Sequence, residues 1–363
     1  MSRLRELFDQ HGQSPWLDNL RRGWISSGEL QALIDRGVRG ITSNPSIFQK
    51  AMTGTDDYDE QLSALAGAGR SIEDSYWELV TRDIVDALDL LRPVHEATDG
   101  LDGFVSVEVD PSLAADTGGT EAAARHLSRI IDRPNLFVKI PATAEGIPAI
   151  RTMIGEGCSV NVTLIFSLNR YEDVMEAYIA GLEAHEGDLS GTSSVASFFI
   201  SRTDTEIDRR LEAVGTPEAL ALRGRAAVAQ GQVAYDLFRR AFSGPRWEAL
   251  VARGARVQRP LWASTSTKNP AYPDTLYVDA LIGPDTVNTL PDNTLESFKD
   301  HGTLARTIDS DVSAARAVID ALATLGIDMV EVTQQLEDEG VAAFEKSFDG
   351  LLSALSEKAA MLA

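Results

Sequence analysis

Eight short apolar segments recur along the chain, and stretches with the apolar spacing of amphipathic helices separate them. This alternation is typical of repeated strand–helix units, in which successive strands lie parallel in one sheet. Eight units in this order favour an α/β fold of the (β/α)8 TIM-barrel class over two doubly wound domains. The predicted strands are Pro15–Leu20, Gly37–Thr42, Phe104–Val109, Leu136–Ile140, Val160–Phe166, Ser194–Ile200, Arg259–Ala263 and Thr286–Leu290.

Helical patterns fill the gaps between these strands, and two gaps are long enough for extra helices: those after the second and the sixth strand. Two further patterns, Ser313–Leu325 and Val330–Leu362, predict a C-terminal helical extension from about residue 313. We predict a single barrel domain over residues 1–363. The predicted helices between strands are Gly28–Arg36, Ile72–Leu91, Thr120–Ile131, Gly146–Glu156, Asn169–Ala184, Pro217–Phe242 and Pro270–Leu281.

Composition excludes several classes of function. A formal net charge of -22 argues against nucleic acid as a partner, because phosphate contacts need a basic face. The single cysteine, Cys158, rules out a disulfide framework and a cysteine-rich zinc site. No run approaches the ~18 apolar residues of a membrane span, and Met1–Gln13 lacks a signal-peptide pattern. We expect a cytoplasmic protein without membrane contact, nucleotide cofactor or metal.

Polar residues inside the apolar strands carry the functional signal. Side chains alternate between the two faces of a strand, so a polar residue between valines or isoleucines points away from the helix layer and into the barrel. Other polar residues stand at strand ends, where barrel enzymes carry their chemistry. The resulting candidates are Asp18, Asn44, Ser106, Glu108, Lys139, Asn161, Thr163 and, with a less clear phase, Ser197.

Lys139 is the most informative of these residues, because burying an ammonium in an apolar strand costs several kcal/mol unless something compensates. Burial and nearby cations lower the pKa of a lysine, which makes its amine a nucleophile for carbonyl carbons. The residues alone leave two other interpretations open. The side chain could reach water from an edge strand, or it could form a structural ion pair with Glu108 or Asp18.

Five segments and one serine, in this order, resemble the motifs of transaldolases of the longer bacterial type. Transaldolases are Schiff-base enzymes of the non-oxidative pentose phosphate pathway. The resemblance extends over residues 14 to about 290, and the motifs are specific only in combination. They are SPWLD (Ser14–Asp18), GITSNPS (Gly40–Ser46), VSVEVD (Val105–Asp110), VKIPAT (Val138–Thr143), NVTLIFS (Asn161–Ser167) and Ser264.

The resemblance implies a (β/α)8 barrel that moves a dihydroxyacetone unit from sedoheptulose 7-phosphate to glyceraldehyde 3-phosphate without a cofactor. Lys139 would form the Schiff base, and Asp18 would be the general acid and base. Glu108 with Thr163 would position the catalytic water, while Asn44 and Asn161 would hold substrate hydroxyls or the iminium region. The rivals are a fructose 6-phosphate aldolase and a catalytically silent barrel that binds sugar phosphates. Whether the chain is a monomer or a homodimer stays open.

Phosphate binding departs from the family pattern. Ser197 and Arg202 match one serine-to-arginine spacing, and a planar guanidinium suits a phosphate. A second arginine often follows two residues after the serine that corresponds to Ser264. Here Ser266 stands at that position, and Lys268 comes two residues later. Lys268 is the expected replacement.

Overall fold

The computed structural model describes residues 2–362, so Met1 and Ala363, the predicted domain limits, lie outside the described residues. Eight parallel strands, β1 to β8, pair in sequence order and close into a barrel, which confirms the predicted fold class. β7 and β8 have the predicted bounds. The strands are Gln13–Leu17, Gly40–Ile41, Phe104–Glu108, Leu136–Pro141, Val160–Ile165, Ser194–Phe199, Arg259–Ala263 and Thr286–Leu290.

Helices surround the barrel. Within residues 2–362, α1 to α17 are Arg3–His11, Arg22–Ser27, Glu29–Arg36, Pro45–Thr53, Asp59–Gly67, Ile72–Ala97, Thr117–Ile131, Gly146–Gly155, Leu168–Ala184, Ser201–Val214, Pro217–Leu220, Ala226–Ala241, Pro245–Val251, Leu276–Asp279, Asp292–His301, Val312–Thr324 and Met329–Leu362. The extra helices fall where they were predicted. α4 and α5 lie after β2, and α10 to α13 lie between β6 and β7. No helix among these residues is long and apolar enough to cross a membrane.

Several predicted bounds differ from the structure; β1, for example, was predicted as Pro15–Leu20 and is Gln13–Leu17. Three of the differences have a local reason. The segment predicted as Pro217–Phe242 is split between α11 and α12, because Gly224 takes a positive φ of 69° and donates its N–H to Asp208. Within Pro270–Leu281 only α14 is helical, since prolines interrupt the segment. β2 is short because Gly37 caps α3 in the left-handed region, at φ 119°.

The interior of the barrel follows the predicted alternation. Below the level of Lys139, the rings of Phe104 and Phe137 stack with their centroids 4.1 Å apart, and Trp16 packs against both. Lys139 follows Phe137 by two residues on β4 and therefore stands on the same inward face. The aromatic layer closes the barrel beneath the lysine, so water can reach the amine only from the mouth formed by the carboxyl ends of the strands.

The long C-terminal helix α17 packs across this mouth. It contacts α4 extensively and reaches α5, α6, α10 and β5. The hydroxyl of Ser46 donates to Ser347, and the ammonium of Lys358 donates to the carbonyl oxygens of Met52 and Thr55 at 3.2 and 2.6 Å. These contacts attach α17 to the segment that follows β2. The helix is therefore part of the wall above the barrel.

Candidate active site

A cavity of about 140 Å³ opens at the carboxyl ends of the strands. Side chains from seven of the eight strands or their following loops contribute to it, together with one aromatic residue of α17. The lining residues are Asp18, Thr42, Asn44, Lys139, Thr163, Ser197, Phe199, Arg202, Ala263, Ser264, Ser266, Lys268, Thr289, Pro291 and Phe344. Eight of the ten predicted site residues thus line one cavity, and the other two, Glu108 and Asn161, lie buried beside it.

Lys139 lies at the bottom of the cavity with 4% of its surface exposed. Its Nζ donates to Glu108 Oε2 at 3.1 Å and to the carbonyl oxygen of Ser43 at 3.2 Å. β3 and β4 pair Glu108 directly with Lys139, so the register of the sheet sets this contact. The structure excludes a lysine that reaches open water from an edge strand, because the barrel is closed and the amine points inward.

The two carboxyl groups near this lysine both have raised pKa values. Burial raises the pKa of Glu108, and the charge and hydrogen bond of Lys139 oppose that shift while Asp18 adds to it. Burial also raises the pKa of Asp18, against the charge of Lys139 and a hydrogen bond from Thr42 Oγ1 at 2.7 Å. Two acids therefore share one lysine, and each holds a proton more readily than it would in water.

Thr163 Oγ1 is buried and has no hydrogen-bond partner among the described residues. The next residue, Leu164, takes a positive φ of 58°, and the pairing of β5 with β6 shifts register between Val162 and Ile165. A non-glycine residue in the left-handed region is strained, and such strain persists where the surroundings impose it. Thr163 lines the cavity together with Lys139, so its unpartnered hydroxyl is available to a ligand or water there.

Asn161 does not line the cavity, unlike the substrate ligand that was expected. Its amide is fully buried, with Nδ2 donating to Ser106 Oγ at 3.0 Å and Oδ1 accepting from Ser197 Oγ at 2.7 Å. β4 and β5 pair Asn161 with Lys139. The hydrogen bonds connect three predicted inward residues on β3, β5 and β6, so Ser197 does share the inward face.

Asn44 combines a structural and an accessible group. Its Oδ1 accepts the backbone N–H of Ile47 at 3.0 Å, which makes it the N-cap of α4, with Pro45 in the first turn. The cap fixes the orientation of the side chain, and the residue lines the cavity. The amide nitrogen is the donor left to meet a ligand.

Arg202 and Lys268 form a cationic side of the cavity. Burial lowers the pKa of Arg202, and in the described chain its guanidinium makes no ion pair. Burial lowers the pKa of Lys268 as well, and Arg202 and Lys50 lower it further. Like charges placed together without an acidic partner are costly unless an anion joins them. The two cations therefore form a site suited to a phosphate group.

Sequence reasoning missed several cavity residues. The hydroxyl of Thr42 donates to Asp18 and lies 2.6 Å from the hydroxyl of Thr289. Phe344 enters from α17, far away in sequence, and its ring centroid lies 5.5 Å from Lys139 Nζ. Thr42 lies within the GITSNPS motif, so that signal was present in the sequence. No local pattern distinguishes Phe344 from the core residues of an amphipathic helix.

No group of three or more histidine, cysteine, aspartate and glutamate side chains within residues 2–362 could hold a metal ion.

Comparison with known proteins adds a second, independent line of information. The family model described as transaldolase/fructose-6-phosphate aldolase matches residues 15–355. A relative named transaldolase from Thermobifida fusca (strain YX) is 52% identical over 364 residues, covering 99% of each chain. Similar relatives, also named transaldolase, come from Parafrankia sp. (strain EAN1pec), 52% identical over 96% of this chain and 95% of the relative, and Acidothermus cellulolyticus (strain ATCC 43068 / DSM 8971 / 11B), 53% identical over 95% and 94%.

Proposed function

This chain belongs to the transaldolase/fructose-6-phosphate aldolase family of enzymes, and we propose that it transfers a dihydroxyacetone unit between sugar phosphates through a Schiff base on Lys139. The proposed donor is sedoheptulose 7-phosphate and the proposed acceptor is glyceraldehyde 3-phosphate. Their products are erythrose 4-phosphate and fructose 6-phosphate. The reaction needs no cofactor. A cytoplasmic location, and either a monomer or a homodimer, stay predictions.

The observation that carries the proposal is the buried pair of Lys139 and Glu108 at the bottom of an open cavity. Their atoms are 3.1 Å apart, and burial raises the pKa of Glu108. A carboxylate that holds a proton readily can take one from the ammonium, which leaves a neutral amine next to a carboxylic acid. In this proposal the ion pair and the nucleophile are two protonation states of the same pair, whereas a permanent ion pair would not be nucleophilic, and borohydride trapping separates the two interpretations.

The neutral amine attacks the carbonyl carbon of the ketose and forms a carbinolamine, whose hydroxyl leaves as water to give the iminium. Glu108 supplies and recovers the protons of these steps. The free hydroxyl of Thr163 is suited to hold the water involved, because buried hydroxyl groups require a partner. We assign the water-positioning role to Glu108 and Thr163.

Asp18 is the proposed base for cleavage of the carbon–carbon bond. It removes the proton of the neighbouring hydroxyl, the bond breaks, and the electron pair moves into the iminium, which becomes an enamine. Its raised pKa suits a group that must take up this proton and later return it. Thr42 orients the carboxylate through a hydrogen bond of 2.7 Å.

Substrate binding is assigned to the remaining predicted residues. Arg202 and Lys268 would hold the phosphate with the hydroxyl of Ser264, because both cations line the cavity and neither forms an ion pair within residues 2–362. Asn44 would donate its free amide hydrogens to a substrate hydroxyl. Asn161 and Ser197 would support Lys139 and the iminium region from below.

The first experiment is borohydride trapping. Incubation with fructose 6-phosphate and borohydride should add the mass of the reduced three-carbon unit to the peptide that contains Lys139. In a coupled assay for erythrose 4-phosphate consumption, Lys139→Ala should lose at least about 10⁴-fold in kcat, as for other covalent nucleophiles. Full activity of Lys139→Ala would overturn the mechanism.

Fructose 6-phosphate aldolase is the second candidate, because the matching family model covers both activities. The aldolase uses the same lysine chemistry but releases dihydroxyacetone to water. Free dihydroxyacetone measured in the presence of glyceraldehyde 3-phosphate separates them. A transferase releases little, whereas an aldolase releases one equivalent for each donor cleaved.

A further inference from the structure

We propose that Phe344 is a specificity-determining residue that keeps the three-carbon unit on Lys139 until an acceptor aldose arrives, by denying water access to the reactive carbon. The inference rests on the proposed function and deepens it. It assigns the choice between transfer and release to a side chain of the C-terminal helix, outside all the motifs of the barrel strands.

Phe344 is in a position to have this effect. Its side chain lines the cavity, and only 5% of the residue is exposed. The ring centroid lies 5.5 Å from Lys139 Nζ, so the carbon bonded to that nitrogen in a Schiff base would lie within reach of the ring face. The ring packs in an apolar cluster with Leu164, Phe166 and Phe199. The ring and this cluster form the apolar cover of the cavity.

The helix holds the ring firmly. One turn earlier, at Gly340, a Cβ atom would stand 3.1 Å from Leu164 Cδ2 and 3.6 Å from Arg202 Nη1, so α17 touches the barrel mouth at closest range there. Glu337 faces Arg170 of α9 at 3.5 Å, and Lys358 holds the far end of α17 on the last turn of α4 and the residues after it. Contacts on both sides of Phe344 along α17 therefore hold the apolar cover in place.

The chemistry explains why an apolar cover matters. After cleavage, the enamine on Lys139 has two fates. In transfer, its carbon attacks the acceptor aldehyde and the electron pair forms the new carbon–carbon bond. In release, the same carbon takes up a proton to give an iminium, water adds to the imine carbon and loses a proton, and the carbon–nitrogen bond breaks to free dihydroxyacetone and the amine. Transfer ends with hydrolysis of the product iminium, whereas release hydrolyses the three-carbon iminium before an acceptor has added. Excluding water from the adduct during that interval therefore favours transfer.

The test compares the two fates in the intact protein. Phe344→Ala should raise the ratio of free dihydroxyacetone to transferred product by roughly tenfold or more, and it should shorten the lifetime of the borohydride-trappable adduct without an acceptor. Phe344→Leu restores an apolar side chain and should return the ratio to within about twofold of wild type. An unchanged ratio in Phe344→Ala would overturn the inference.

Phe348, one turn further along α17, provides the matched control. It is 5% exposed and packs edge-on against Tyr76, with centroids 5.2 Å apart, but it does not line the cavity. Phe348→Ala should destabilise the protein and leave the ratio of release to transfer unchanged. An equal increase of the ratio in both variants would assign the effect to loosening of the helix and would also overturn the inference.

Failure of this inference differs from failure of the proposed function. If the Schiff-base chemistry is wrong, borohydride traps no adduct on Lys139 of the wild-type protein, and if the protein is an aldolase, the wild type already releases one equivalent of dihydroxyacetone in the presence of the acceptor. If only the role of Phe344 is wrong, wild type and Phe344→Ala both trap the adduct and partition it equally.

Discussion

Both ends of the barrel bury an acid next to a cation, and the two ends use the pair in opposite ways. At the end where the strands begin, Asp102 is fully buried between two arginines, 2.7 Å from Arg39 Nε and 3.0 Å from Arg259 Nη2. Ser14 and Trp16 also donate to its carboxylate. At the mouth, Lys139 faces Glu108 and Asp18, two acids that share a single lysine.

The ratio of cations to acids at each end decides whether the pKa of a buried acid is raised or lowered. Burial alone would raise the pKa of Asp102, but Arg259, Arg39 and the hydrogen bonds outweigh it and lower the pKa. The pKa values of Glu108 and Asp18 are raised, because one lysine cannot offset the burial of two acids. An excess of cations keeps a buried acid ionised and stabilises the fold. Where cations are fewer than acids, a carboxyl group takes up and gives off a proton more readily. The comparison therefore separates a structural pair from a catalytic one.

The variant Asp18→Asn tests whether the acid at the mouth is catalytic, and it should have the largest effect. Loss of the base should lower kcat by about 10³-fold or more, within the usual contribution of general acid–base catalysis. The free energy of unfolding should stay equal or rise, because the folded protein no longer carries an acid that burial disfavours in its charged form. Kinetics and urea unfolding at pH 7 check both. A stability loss of several kcal/mol would mean that Asp18 is a structural acid like Asp102.

At the base of the barrel, Asp102→Asn should have the reverse effect. The buried Arg259 and the partly buried Arg39 would lose their counter-charge, which costs about 3–5 kcal/mol of unfolding free energy. The value of kcat per folded molecule should stay within about twofold, since the residue does not approach the cavity. Asp99→Asn is the matched control, because Asp99 pairs with Arg256 at an exposed site and should change stability by less than about 1 kcal/mol.

The pH dependence should separate the two ends as well. Asp102 has a lower pKa in the folded than in the unfolded chain. Its stabilising contribution is therefore complete above the unfolded value of about 4 and is lost as the pH falls through the folded value. The difference in unfolding free energy between wild type and Asp102→Asn should be constant from pH 7 to about 5 and shrink below about 4.

At the mouth, activity should fall on acidification while the protein stays folded. The raised pKa values of Asp18 and Glu108 place their protonation above the ordinary carboxyl range of about 4. The acid limb of kcat/KM should therefore lie at a higher pH than the acid unfolding transition, and the loss should reverse on neutralisation. Coincidence of the two transitions would show that acid inactivates by unfolding alone.

The smallest expected effect concerns the cation without an acidic partner, Lys268. Lys268→Met should raise KM for fructose 6-phosphate about 10- to 100-fold, the usual range for a charged hydrogen bond, and leave kcat nearly unchanged. The free energy of unfolding should change little, because Lys268 forms no ion pair within residues 2–362 and its charge has the smallest of the effects on the pKa of Asp18. Lys299→Met, which removes a lysine paired with Glu296 at 2.7 Å on the surface, controls for charge. An equal kcat/KM of Lys268→Met and wild type for the unphosphorylated ketose would assign the effect to the phosphate.

The sequence by itself determined the barrel, the order of its strands and the inward position of Lys139, Glu108, Asn161 and Thr163. These features follow from a period of two residues along each strand, which is local, and from the rule that parallel strands present their carboxyl ends on one side. The alternation of side chains between strand faces also predicts the position of Ser197, for which the inward direction was less clear. Its hydroxyl donates to Asn161 inside the barrel.

The tertiary structure alone decided which residues complete these sites. Arg259 reaches Asp102 and Phe344 reaches Lys139 across long stretches of chain, and no local period encodes such contacts. The strained backbone at Leu164 arises from a register shift between two strands, which one strand cannot signal. The charge state of a buried acid depends on how many cations surround it in space. The sequence therefore predicted that Lys139 lies inside the barrel. The fold determined which carboxyl groups lie close enough to exchange a proton with it.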